Sequence, residues 1–289
     1  MKWAKIIGRV IIPFLPIITA GCFGVVSSAW AQNHSYFWRP EIDSAETIAA
    51  RIPPPEGFRR MPVDDGSFGE WLRYLPLKEG RPGVHLYDGS LKGNQEAHQA
   101  VIDIDVGREN LQQCADAVIR LRAEYLYSRA EYDSIHFNFT SGDTAWYRAW
   151  VDGYRPWIAG DRALWEKSVP PDSSYENFLK YLKTVFSYAG SYSLSRELDR
   201  VGDPDRIQIG DVFIQGGFPG HAVLVVDLAV NEDEGKQVFL LAQSFMPAQE
   251  IHLLKNLEDS LLSPWYILDR GEVLLTPEWS FSRYDLMRF

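Results

Sequence analysis

Cysteine is scarce in this chain. Of its 289 residues only Cys22 and Cys114 carry a thiol. Basic charge is also short, with 29 Lys and Arg against 39 Asp and Glu, a formal net charge of −10. That sign excludes a nucleic-acid backbone or an anionic membrane surface as the main partner. No glycine-rich phosphate loop is present, since Gly216-Gly217 before Pro219 reads as a turn. The histidines show no metal-ligand spacing and no cysteine pair supports a zinc site, so no metal and no cofactor is expected. Internal repeats and low-complexity blocks are absent as well.

What is there begins with an export signal. Lys2, Lys5 and Arg9 precede the apolar run 6–26, and Ala29-Trp30-Ala31 gives the small-x-small pattern read by a signal peptidase. Pro13 and Pro16 interrupt the run and argue against a permanent span. Residues 1–31 are therefore expected to be removed, leaving a periplasmic or secreted chain with no integral membrane span. A second reading takes Ala20-Gly21-Cys22 as the end of a lipobox, with Cys22 acylated. Either way Cys114 is left as the single thiol, and an intramolecular disulfide is excluded.

Residues 32–56, ending in Pro53-Pro54-Pro55, read as a flexible tether, and 57–289 as one globular domain. The apolar fraction of 46% is ample for a core. Phe68, Trp71, Leu72 and Leu75 have helical spacing that Pro76 stops. Val84 to Asp88 reads as a short strand, and 100–106 alternates, with Asp103 and Asp105 on one face. Leu111, Cys114, Val118, Leu121 and Tyr125 make the stripe of a long helix. A cap at Asn110 to Gln113 would put Cys114 near its start; a start at Gly107 would put it a turn further in. Residues 137–165, with Trp146, Trp150, Trp157 and Trp165, read as irregular. Helices are expected at 175–188 and 193–201, and strands at 210–214, 221–230, 237–245 and 250–254. The fold class is α+β, with N-terminal helices packed on a C-terminal antiparallel sheet.

The hairpin carries the chemistry. With 231–235 as its loop, Val230 lies opposite Lys236, so His221 lies opposite Phe245 and Gln243 becomes its diagonal neighbour. A one-residue slip would present Ser244 instead. A histidine with a neutral polar partner on the next strand has the means to fix its tautomer. Cys114 on a helix completes a nucleophile, base and orienting set, and a helix N-terminus would lower the thiol's pKa below its ordinary value of about 8.5. The bland readings stay beside these: Cys114 as a small core hydrophobe, His221 as a satisfied strand histidine, and the tryptophans as core.

Gln112-Gln113-Cys114-Ala-Asp-Ala-Val118 resembles the Gln-Cys-Thr helix start of CHAP amidase domains. The stretch from Ile209-Gly-Asp-Val-Phe213 through Gly220-His-Ala-Val-Leu-Val-Val226 resembles that of CHAP and NlpC-type domains. The resemblance implies a papain-like core with the tryptophan-rich region as an insertion. It also implies cysteine hydrolysis of an amide bond, in a peptide or cell-wall substrate, by Cys114, His221 and Gln243. The chain is further similar to an exported bacterial family known as domain of unknown function 4846. That similarity rests on WLRYLPLK at 71–78, VIDIDVG at 101–107, LQQCADAVIRLRAEYLY at 111–127, PGHAV at 219–223 and QSFMPAQ at 243–249. It implies no reaction. The rival is a non-catalytic exported binding or structural protein that keeps the fold.

Overall fold

The computed structural model describes residues 36–268 and 273–289. The signal sequence and Cys22 lie outside the described residues. Among those described, no helix is long and apolar enough to cross a membrane.

The elements alternate rather than segregate. Helix α1 (Ile48–Arg51), strand β1 (Arg59–Arg60), helix α2 (Phe68–Arg73) and strand β2 (His98–Val101) lead to the long helix α3 (Cys114–Ser128). Two small hairpins follow, β3 (His136–Asn138) with β4 (Thr144–Trp146), and β5 (Tyr154–Ala159) with β6 (Arg162–Lys167), joined by α4 (Tyr147–Val151). Helices α5 (Tyr175–Tyr188) and α6 (Ser191–Glu197) then precede strands β7 (Asp199–Arg200), β8 (Val212–Gln215), β9 (His221–Asn231), β10 (Lys236–Gln243) and β11 (His252–Leu254). Strands β12 (Tyr266–Ile267), β13 (Val273–Leu275), β14 (Ser280–Ser282) and β15 (Leu286–Arg288) finish the chain. One nine-stranded antiparallel sheet dominates, its main path running β2-β11-β10-β9-β8-β15-β7.

The class is α+β, but the order expected of it is not found. Helices α5 and α6 come late, and β2 reaches the far edge of the sheet from a position before α3. The region read as irregular holds two regular hairpins. Their strands are three to six residues long, too short for an alternation to stand out among aromatic residues. Of its tryptophans, Trp150 is buried and donates to Asn177, while Trp146 and Trp157 are about half exposed. The tether reading also fails over its described part. Tyr36 is buried with its hydroxyl donating to the Trp71 carbonyl, and Ile48 and Ile52 join the core. Single aromatic anchors of this kind carry no periodicity, which is why a proline-flanked stretch reads as loose.

Strand β9 is the centre of the sheet and is buried from His221 to Ala229. Its two faces feed two apolar layers. Ala222, Leu224 and Val226 meet the layer that includes α3, whereas Val223 and Val225 meet Phe213, Leu274 and Phe281. The β9–β10 loop is one residue shorter than expected, since Asn231 pairs with Lys236. A bulge between Leu240 and Leu241 then shifts the ladder by one, so that Leu241 faces Val225 and Ala242 faces Leu224. Val226 has no counterpart on β10. Beyond the bulge the register is the one the sequence predicted.

Candidate active site

Helix α3 begins at Cys114, with Gln113 as its cap residue and the Gln113 amide donating to the Asp116 carboxylate at 3.0 Å. Leu111 stays outside the helix. The thiol thus occupies the first helical position, yet it is only 5% exposed. It sits where the β9–β10 ladder runs out. The Cys114 sulfur lies 4.0 Å from the Gly220 carbonyl oxygen, and the Ala222 amide also bonds to it. The main chain on both sides of His221 therefore touches the thiol. Gly220 has to be glycine here, because a Cβ would come 2.3 Å from the Ser191 hydroxyl and 2.6 Å from the Gln215 carbonyl.

His221 is fully buried, and its ring packs against Phe245, Trp279 and Phe281. Its Nε2 lies 2.8 Å from Gln243 Oε1, the contact that the hairpin register predicts. Ser244 is turned away, its single hydroxyl hydrogen within reach of both the Gln112 carbonyl at 2.9 Å and the Gln249 carbonyl at 2.8 Å. The network fixes every proton. Gln243 Nε2 donates to Glu278 at 2.8 Å, and a carboxylate can only accept, so the amide oxygen faces His221. Nε2 of His221 must then carry the hydrogen, which leaves Nδ1 as a bare lone pair, buried with no hydrogen-bond partner among the described residues. His252 gives its Nδ1 hydrogen to the Glu250 carbonyl, so its Nε2 accepts the second Gln243 hydrogen at 3.4 Å. Lys92 closes the chain through an ion pair with Glu278.

Sequence reasoning brought His221 and Gln243 together but missed Lys92, Glu278, His252 and Trp279. His252 had a legible signal, since it sits between apolar residues on the strand directly after Gln243 and pairs with it in register. Lys92 and Glu278 had none, being 186 positions apart and on loops.

Electrostatics reverse one expectation. Burial pushes the Cys114 thiol up to about 11, with the Asp116 carboxylate adding to the shift, against smaller lowering by backbone amides. Desolvation outweighs the helix terminus here. Burial likewise pushes His221 down to about 4, partly offset by the Gln243 bond. The resting state is a neutral thiol and a neutral imidazole. Alkylation of Cys114 by iodoacetamide should consequently be slow at pH 7 and still be gaining rate above pH 9. A rate that levels off below pH 8.5 would contradict this placement.

Other candidates are occupied elsewhere. Asp103 pairs with Arg39, Asp105 accepts from the Gly107 amide, His85 lies against Glu250 and His136 against Glu197. Among the described residues no group of three or more His, Cys, Asp or Glu is arranged to hold a metal ion.

A family model described as domain of unknown function 4846 matches residues 48–288. No curated protein and no solved structure matches the chain. The match covers most of the sequence, so the chain belongs to that family.

Proposed function

We propose that this family member is an exported cysteine hydrolase with a papain-like catalytic core, acting on an amide bond in a substrate such as cell-wall peptide. The observation that carries the reading is the bare Nδ1 of His221, on a residue whose flanking main chain touches the Cys114 sulfur. A base needs such a lone pair, and Gln243 and Glu278 hold the ring so that the lone pair is on that nitrogen.

From a neutral pair the chemistry runs as general-base catalysis. Nδ1 of His221 is not hydrogen-bonded to the Cys114 sulfur in this structure, so the reading requires a rearrangement that brings the two together. Once they meet, His221 Nδ1 takes the Cys114 proton as sulfur bonds to the substrate carbonyl carbon. The imidazolium then returns the proton to the amine nitrogen as the carbon–nitrogen bond breaks, leaving a thioester on Cys114. Water, deprotonated by the same nitrogen, attacks the thioester, and the proton goes back to sulfur on release of the acid. Gln243 stays neutral throughout and accepts from Nε2 at every stage. Export rests on the basic start and the cleavage pattern at 29–31.

A second reading has an observation of its own. The sulfur fills the position where the β9 main chain loses its strand partner, and the thiol is buried and hard to ionise. That is how a structural cysteine in a non-catalytic binding protein would sit. A peptide-aldehyde panel separates the two. The hydrolase forms a thiohemiacetal at Cys114, detected by mass, and loses it in His221→Ala; the binding protein forms none.

A further inference from the structure

A neutral His221 has one ring hydrogen and two nitrogens that could keep it. The choice is made by Gln243, whose amide can present either its oxygen or an N–H to Nε2. That amide is in turn held by two acceptors of unequal strength. Glu278 takes one Gln243 hydrogen at 2.8 Å, whereas the His252 ring nitrogen takes the other at 3.4 Å. The shorter bond, to an ionised group, is the stronger of the two.

Glu278 also stands between two donors. Its Oε2 accepts from Gln243 and its Oε1 from the Lys92 ammonium. Lys92 is 5% exposed, and its other bond is to the Asn94 carbonyl at 3.1 Å. Among the described residues no second carboxylate pairs with it. Without the Glu278 carboxylate, a buried cation would be left uncompensated beside the Gln243 amide. Turning that amide over offers its oxygen to the ammonium. Such a charge-assisted bond outweighs the long contact to His252 that the turn gives up. An N–H would then face His221 Nε2, which must become the acceptor, and the ring hydrogen would move to Nδ1.

We propose that Lys92 and Glu278 are positioning residues for His221: the carboxylate keeps the ammonium from claiming the Gln243 oxygen, and so keeps Nδ1 bare. The tautomer follows from this network alone. Its bearing on turnover rests on the hydrolase reading.

The tautomer can be read directly, by long-range nitrogen–proton NMR correlations on the full mature chain labelled at its histidine ring nitrogens. The His221 signals are identified by their loss in His221→Ala. The unaltered chain should show a bare Nδ1 and a protonated Nε2 at neutral pH. Glu278→Ala should reverse the two populations, and so should Glu278→Met, which keeps the bulk of the side chain where alanine costs too much stability. Lys92→Met added to Glu278→Ala should return the original tautomer, because the ammonium that turns the amide is gone and His252 remains. A mere loss of packing would not be repaired by a second truncation. Initial rates of amide hydrolysis should follow the tautomer, falling roughly a hundredfold or more in Glu278→Ala and largely recovering in the double variant. An unchanged tautomer in both Glu278 variants, or a reversal that persists in the double variant, would overturn the inference. Reversal and recovery of the tautomer with no hydrolysis by any chain would support the network and overturn the hydrolase reading instead.

Discussion

Replacing Asp227 with alanine is expected to lower stability by about 3–5 kcal/mol. Asp227 is fully buried in β9 and receives Nε hydrogens from Arg60 and Arg73, each at 2.7 Å, as well as the Leu228 amide at 2.9 Å. Arg73 is itself 6% exposed and also donates to the Met61 carbonyl. Removing the carboxylate strands a buried guanidinium whose other bonds are to neutral groups, and desolvation of that charge is then uncompensated. The reading is a urea unfolding curve, with a fall in midpoint at unchanged slope. Glu232→Ala is the internal comparison. Its pair with Arg59 also links β1 to the β9 hairpin, but both side chains are more than half exposed. That loss should stay below about 1 kcal/mol. Comparable losses in the two variants would mean that the buried pair contributes no more than a surface one.

Cys114→Ala and His221→Ala should each reduce amide hydrolysis by roughly a thousandfold or more, and the double variant should be no worse than either alone. Nucleophile and base act in a single proton transfer, so removing one idles the other. Gln243→Leu should keep part of the activity. It leaves the His221 Nε2 hydrogen buried without an acceptor, which favours the other tautomer and puts the hydrogen on the working nitrogen. The check is initial rate on whichever peptide amide the aldehyde panel identifies, with each variant's unfolding curve as the control for folding. Full hydrolysis by Cys114→Ala would remove the cysteine mechanism, whereas no hydrolysis by the unaltered chain would leave the binding-protein reading.

How much of this was legible in the chain differs by residue. The 175–188 helix was, because apolar residues recur there at helical spacing between Ser174 and Ala189. The His221–Gln243 contact was legible too, although by a route that contained a compensated error: the loop is one residue shorter than assumed and the bulge restores the offset. The state of Cys114 was not. Its helical position could be inferred from the cap, but whether the dipole or burial prevails depends on the sheet main chain that closes over the sulfur. Likewise, the buried ion pair between Lys92 and Glu278 joins two loops that no spacing rule relates.

The unpaired Val226 also works as an electrical partition. Residues 221 and 227 are six apart, and in an unbroken strand an even separation would place both on one side. The extra residue reverses the phase. Val225 and Leu228 stay with the layer around His221, whereas Val226 and Ala229 go to the opposite one. Asp227 consequently turns towards Arg73 of α2, and the imidazole keeps a side of the sheet without that carboxylate. Strand β9 thus carries an anion bound to two guanidiniums and an uncharged imidazole within two turns of its pleat, each insulated from the other by the sheet itself.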